Sequence, residues 1–354
     1  MAALRKQKKT VLFSLIISSI LIKVNAKDVD WHQVQPSLPD GFSATIFYPE
    51  LGGARHIAVR DNGDVFTVRP FRQAFKMIGQ LSSYGSLIAL RDEDGDGVAD
   101  LIEEFGPTTV TTEIDIFDGW LYFGTNLGVY RIELDNNLVP AGVAEPIAGG
   151  FPMQQSHADK TFTFDPAGNI YVNSGVPSNT CEIKQMSPRS PGIYPCPQLE
   201  RSGGLWKFEG DRKFQDQLRD GTRFVTGTRN ILAMAWNPWA DKLYFVMHGR
   251  DSVGMLWKNL FPEKELNSEL PAEEFHFAEQ GDNFGWPYTY FDPLVNKRVQ
   301  APEYGGDGKV SPKPEYGDLK EPLIGFPAHW APMDLLFHSG KNVPEKYEQG
   351  AFIV

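Results

Sequence analysis

The 354-residue chain is poor in cysteine, has no surplus of positive charge and contains one sustained apolar run, and each shortage removes a class of function. Its two cysteines, Cys181 and Cys196, form neither a CxxC nor a CxxCH, so the chain carries no thioredoxin-like dithiol and no covalently attached haem. Any electrons it produced would have to leave for a separate acceptor, such as a cytochrome or a quinone. Lys plus Arg number 34 against 45 Asp plus Glu, a formal net charge of -11. Nucleic acid and anionic membrane surfaces select for clustered cations, so neither is expected as a partner, and a small neutral molecule fits better. No G-x-G-x-x-G links a strand to a helix and no G-x-S-x-G elbow appears, which disfavours a nicotinamide dehydrogenase and a Ser-His-Asp hydrolase. The apolar run, Val11 to Ile22, is shorter than the roughly 20 residues of a spanning helix. It follows Arg5, Lys6, Lys8 and Lys9 and leads to Val24-Asn25-Ala26, the pattern of a secretory signal over residues 1–26, with an uncleaved anchor as the alternative. The remaining 27–354 are expected to form one exported domain, periplasmic or secreted, with no transmembrane helix after cleavage.

No long stretch shows the 3.6-residue apolar period of an amphipathic helix. What the chain has instead is one phrase used five times: a short apolar run, a turn rich in Asp, Asn, Gly or Pro, and a second apolar run. The copies are ARHIAVRDNGDVFTV (Ala54 to Val68), TTEIDIFDGWLYFGTNLGVYRI (Thr111 to Ile132), HADKTFTFDPAGNIYVNSG (His157 to Gly175), GTRNILAMAWNPWADKLYFVMHG (Gly227 to Gly249) and APMDLLFHSGKNVPEKYEQGAFIV (Ala331 to Val354). Each reads as a β-hairpin. Their spacing, about 50 residues early and longer later, suits the blades of an all-β propeller carrying insertions; a pair of β-sandwiches is the competing architecture. Runs such as ILAMAW and DLLF are apolar on both faces, as an inner blade strand packed between neighbours must be.

Four polar residues stand just before the first strand of a copy: His157, Arg229 with Asn230, and His329. In equivalent blades they would open onto one rim. An imidazole there can act as a base near neutral pH, and a guanidinium fork suits a carboxylate or a quinone oxygen gaining negative charge. The bland alternatives are a structural histidine, a loop-fixing salt bridge and, for His329-Trp330, an aromatic plug. Gly281 to Pro287 (GDNFGWP) reads as a packing corner. Asp92, Asp94, Asp96, Asp100 and Glu103, with Gly97 in the turn, match the D-x-D-x-D-G-x5-E calcium loop, although the flanks are not helices, and an acidic hairpin tip without metal is the other reading. Cys181 and Cys196 bracket a Pro-rich insert and are expected to pair in an exported protein.

These residues resemble the glucose/sorbosone dehydrogenase family, six-bladed propellers that oxidise sugars with pyrroloquinoline quinone. The resemblance runs from about Gly41 to Val354, is most specific at the His157 hairpin, Gly227 to Asn230 and Gly281 to Pro287, and is closest to the sorbosone-dehydrogenase-like branch. It implies that His157 is the base taking the proton of the sugar hydroxyl, that Arg229 and Asn230, with His329 nearby, hold and polarise the quinone, and that the backbone carbonyls of Gly249 and Arg250 bind a calcium ion clamping it. Arg250 itself departs from the expected residue. Members of the family continue into another blade with further basic residues, so the resemblance implies a ring C-terminally incomplete at Val354, holding cofactor weakly, with Gly41 to Tyr48 as an outer strand lacking its partner. A propeller that binds carbohydrate or protein without redox chemistry is the alternative function. A propeller lactonase would need Asn, Glu and Asp ligands spread over several blades, and the sequence does not reveal them.

Overall fold

All five repeated phrases fold as antiparallel hairpins, because in each a turn that tolerates left-handed backbone separates two runs of strand formers. The computed structural model describes residues 37–70, 85–263, 266–338 and 343–354, so the expected signal segment lies outside the described residues. The first hairpin joins β1 (Ile57–Val59) to β2 (Val65–Pro70) through Asp61-Asn62-Gly63, with Gly63 at φ 91°. β3 (Gly85–Arg91) and the 17-residue β4 (Leu101–Phe117) complete a four-stranded unit. The second half of β4, after a register shift between Val110 and Ile114, pairs with β5 (Trp120–Thr125) and opens the next unit, continued by β6 (Val129–Glu133) and β7 (Glu145–Gly149).

A third unit contains β8 (Phe162–Phe164), β9 (Asn169–Ser174) and β10 (Gly204–Glu209). After β10 the chain lays β11 (Gln215–Asp216) parallel to β7 of the preceding unit, then returns as β12 (Thr222–Thr226) beside β10. The fourth unit is β13 (Ile231–Asn237), β14 (Lys242–Met247) and β15 (Glu273–Ala278). A separate hairpin, β16 (Thr289–Asp292) with β17 (Lys297–Gln300), precedes its outer strand β18 (Ile324–Phe326). β19 (Leu335–Phe337) and β20 (Ala351–Ile353) form the last hairpin.

The first strands of successive units, β1, the end of β4, β8, β13 and β19, are neighbours in chain order, so the sheets stand side by side around an axis as propeller blades. Each interface between them is an apolar layer. Phe66, Leu87, Ile114 and Phe123 fill the first, and Tyr122, Ile147, Phe162 and Trp206 the second. Tyr171, Leu205, Ile231, Phe245 and Phe284 fill the third, and Ala233, Val246, Phe275 and Leu335 the fourth. Neighbouring residues such as Tyr122 and Phe123 serve opposite layers because side chains alternate along a strand. A blade buried on both faces needs both sets apolar, which is why ILAMAW reads as a continuous run.

The segment expected as an outer strand without its partner pairs with no strand among the described residues. Gly41 to Tyr48 forms no strand; the Phe47 carbonyl accepts a single backbone hydrogen bond from Ala99 at 2.8 Å, and Phe47 and Tyr48 pack their rings against the cluster of Ile88 and Leu90 on the first blade. Side-chain burial, not a hydrogen-bonded ladder, holds this segment. Among the described residues no helix is long and apolar enough to cross a membrane.

Cys181 and Cys196 are joined in a disulfide with Cα atoms 6.2 Å apart, and both are buried with Val176 and Trp286. Restricting a 15-residue separation in the unfolded chain contributes about 3 kcal/mol. The Cys181→Ser/Cys196→Ser double variant should therefore lose about 3 kcal/mol of unfolding free energy in a denaturant titration. No loss there would mean that the insert is held by packing alone.

Candidate functional site

The loops that enter β8 and β13 meet through one residue at the end of the β9 edge. The Val176 amide donates to the Arg229 carbonyl at 3.0 Å, and its own carbonyl lies 2.7 Å from His157 Nδ1. Nδ1 therefore carries the proton and donates it, which leaves the Nε2 lone pair of a neutral imidazole free. Gly175, just before, has no room for a side chain: a Cβ there would sit 2.7 Å from His157 Cβ and 2.7 Å from Asn230 Oδ1. The structure thus brings His157, Arg229 and Asn230 into one neighbourhood, although some seventy residues separate them along the chain. Gln154 secures the corner, its amide nitrogen reaching the carbonyls of Ser156, His157 and Gly175 at 2.9, 2.9 and 2.8 Å. His157 has φ 50°, a left-handed backbone that a bulky residue adopts only when its surroundings impose it.

Arg229 is buried and its fork is spread between two acceptors, the Gly249 carbonyl at 2.8 Å and Asp251 Oδ2 at 2.6 Å, while its Nε has no partner. Asn230 Oδ1 accepts from Asn173 Nδ2 at 3.3 Å, and the Asn230 carbonyl accepts from the His248 amide at 2.9 Å. Asp251 is held by Asn179, which accepts from the Asp251 amide at 2.8 Å and donates to its carbonyl at 3.0 Å. Trp286 of the GDNFGWP turn in turn donates to the Asn179 carbonyl at 3.0 Å and packs on Val176 and the disulfide. That turn is a brace beneath the site.

The remaining candidates fall as follows. The His329 side chain is exposed, with Nδ1 3.8 Å from Asp251 Oδ1 and φ 64°. The Gly249 carbonyl takes the Arg229 hydrogen bond. Arg250 sends its side chain away from the rim into a buried pair with Glu303 at 2.9 Å, where Trp257 also donates at 2.7 Å, leaving only its backbone near Gly249. On the first blade, far along the chain, Asp92, Asp94 and Asp100 offer carboxylate oxygens within 4.8 Å of one another and could hold a cation. Asp96 and Glu103 do not join that group: Asp96 accepts from the Val98 amide at 2.8 Å, and Glu103 lies on β4 opposite Ala89. Backbone N–H groups of Gly97 and Gly95 hold the Asp92 carboxyl below its ordinary range.

Sequence reasoning missed Glu273 and His248. Glu273 is buried at the head of β15; one oxygen accepts from the Gly249 amide at 3.2 Å and the other from the His329 amide at 3.0 Å. Burial outweighs these bonds and pushes its carboxyl up to about 7. His248 lies with Nε2 2.7 Å from the Pro332 carbonyl. Enclosure by protein, with Arg229 nearby, holds His157 down to about 3 and His248 down to about 4, although part of each residue's surface reaches solvent. The legible signal was a pair of acidic residues, Glu273-Glu274, opening a strand otherwise apolar but for His276.

A family model described as glucose/sorbosone dehydrogenase matches residues 126–354, the stretch that supplies every residue of this rim. The chain belongs to the glucose/sorbosone dehydrogenase family. Among solved structures, a Trichoderma reesei carbohydrate-active enzyme of family AA12 superposes with a TM-score of 0.60 at 15% identity, covering 82% of this chain and 71% of that one. The PQQ domain of pyranose dehydrogenase from Coprinopsis cinerea, in its holo form, superposes with a TM-score of 0.60 at 14% identity, covering 82% and 70%. At that identity the likeness concerns the fold. An uncharacterized protein of Borreliella burgdorferi is 27% identical over 128 residues, and the matched stretch spans 28% of that relative and 36% of this chain.

Two outcomes test this geometry in a family member with so crowded a rim. Gly175→Ala must displace His157 or Asn230 and is expected to cost about 1–3 kcal/mol, read as a lowered denaturation midpoint; a midpoint equal to that of the parent would mean the approach is looser than described. The second concerns acid. An unfolded imidazole takes a proton near 6.5, whereas folded His157 and His248 resist until about 3 and 4, so their contribution is full above 6.5 and is lost as pH falls towards 4. Glu273 acts oppositely, since its folded carboxyl binds a proton near 7 and its unfolded one near 4.5. Replacing His248→Gln should flatten the fall of melting temperature between pH 6.5 and 4. An unchanged slope would show that His248 is not buried as a neutral ring.

Proposed function

We propose that the protein is a quinoprotein sugar dehydrogenase: it oxidises an aldose-type sugar or sorbosone with pyrroloquinoline quinone and Ca2+, and passes the electrons to a separate acceptor. The observation that carries this reading is the placement of a neutral imidazole with a free Nε2 beside a buried guanidinium and amide, with the base joined to the Arg229 backbone through Val176. The residues fit the cofactor. Arg229 Nε is buried without a partner, a cationic donor of the kind a planar, anionic quinone needs. Asp251 and the carbonyls of Gly249 and Arg250 supply hard oxygens suited to calcium at the same place. When bound, the quinone would supply the two-electron acceptor for the hydride leaving the sugar carbon.

The chain's own residues perform the rest. His157, unprotonated at neutral pH, takes the hydroxyl proton at Nε2 while Nδ1–H stays on the Val176 carbonyl, so the ring cannot rotate away from the substrate. Arg229 and Asn230 orient and polarise the acceptor, and Arg229 stabilises negative charge developing on it from a site largely closed to water. Val176, Trp286 and the disulfide keep base and guanidinium in register. The disulfide fits an exported protein, periplasmic or secreted, and the pattern of residues 1–26 supports the same reading. The rim closes in a six-bladed ring in this proposal, and the Asp92 loop holds a calcium ion of structural use only.

The test is activity of the protein supplied with quinone, calcium, a panel of aldoses and an artificial electron acceptor. His157→Ala should cut turnover by about a hundredfold to ten-thousandfold with quinone still bound. Turnover unaffected by that change would refute the base. Sugar binding with no acceptor reduction by the parent protein would favour a non-catalytic carbohydrate-binding propeller.

A further inference from the structure

The two adjacent carboxylates at the head of β15 do different work. Side chains alternate along a strand, so Glu273 and Glu274 face opposite ways. Glu274 is enclosed with Arg298, whose guanidinium lies 2.5 Å away, and His276 at 3.0 Å, a buried ionic cluster within the fourth blade. Glu273 touches no cation of that cluster. It faces the rim, 4% exposed, and both its oxygens are consumed by backbone amides of segments distant in sequence, Gly249 after β14 and His329 before β19. Gly249 is the residue whose carbonyl meets Arg229, and His329 is the residue whose ring reaches Asp251.

We propose that Glu273 is the positioning residue that assembles the rim across the boundary between the fourth and fifth blades, holding Gly249 and His329 in place around Arg229 and Asp251. The proposal rests on the sugar-oxidising reading of the same site and deepens it. A carboxyl group is the side chain suited to the task, because both of its oxygens can accept, whereas an amide would turn a donor towards one of the two N–H groups. His329, at φ 64°, has a backbone that does not hold its shape unaided, and the Glu273 oxygen is the partner given to its amide.

The experiment compares Glu273→Gln, Glu273→Asp and the neighbouring Glu274→Gln in the full chain. In the cofactor-free protein, amide hydrogen exchange at His329 and Gly249 should be about tenfold faster in Glu273→Gln than in the parent, the equivalent of one lost hydrogen bond. In a calcium-containing titration with pyrroloquinoline quinone followed by absorbance, Glu273→Gln should bind about tenfold more weakly, and Glu273→Asp, which keeps two acceptor oxygens, should recover part of the loss. Glu274→Gln should lower the melting temperature yet leave both readouts at parental values. Parental exchange and affinity in Glu273→Gln would overturn the proposal, as would Glu274→Gln reproducing both effects. A parent protein that takes up no quinone would sink the sugar-oxidising reading instead, and exchange in the cofactor-free protein would still decide whether Glu273 holds the two segments.

Discussion

One residue carries the arrangement on which this molecule's chemistry depends: Val176 gives its N–H to the Arg229 carbonyl, and its own carbonyl receives the N–H of His157. Those two bonds fix the tautomer of the base and tie the loop that carries it to the backbone of Arg229, alongside the Asn173–Asn230 bond between the same two blades. The burial of Val176 with Trp286 and the disulfide then makes good sense, because a residue with two such duties must not move. The insert from Cys181 to Cys196 is thus less a decoration on a loop than the footing of the site, and the cost of organising 15 residues of Pro-rich chain is offset by closing them covalently.

Charge around that residue is paired largely within the protein, although half of the Asp251 side chain and part of both histidines reach solvent. Arg229 is matched by Asp251, Glu273 by two amides, and the two histidines are kept neutral by enclosure. Buried groups of this kind stabilise a fold only when every partner is present, and removing one exposes the full desolvation of the other. The rim is therefore a place where stability and function are tied to the same bonds. The Arg298, Glu274 and His276 cluster, one side chain away on the opposite face of β15, shows the same device used purely for architecture.

Much of this was legible in the residues. The five hairpins, their turns and the two-faced apolar strands all follow from a period of two interrupted by Gly, Asn, Asp and Pro, a signal that is local and strong. Cys181 and Cys196 could be paired by elimination and compartment. His157, Arg229 and Asn230 stood out because repetition made their positions comparable. The failures have physical reasons as well. Glu273 escaped notice because its partners are backbone amides, which leave no trace in composition. Arg250 looked like part of the rim because the chain passes there, yet its long side chain finds Glu303 across a separate cluster.

The first two blades differ from the others in that a single strand of 17 residues belongs to both, with a register slip where one sheet gives way to the next. Later blades are joined by loops, which a recombination or permutation cut could open without breaking a ladder. A cut within residues 101–117 would strip hydrogen bonds from two sheets at once. The first two blades of this chain are accordingly joined by a ladder and not by a loop, and they come apart only by breaking it.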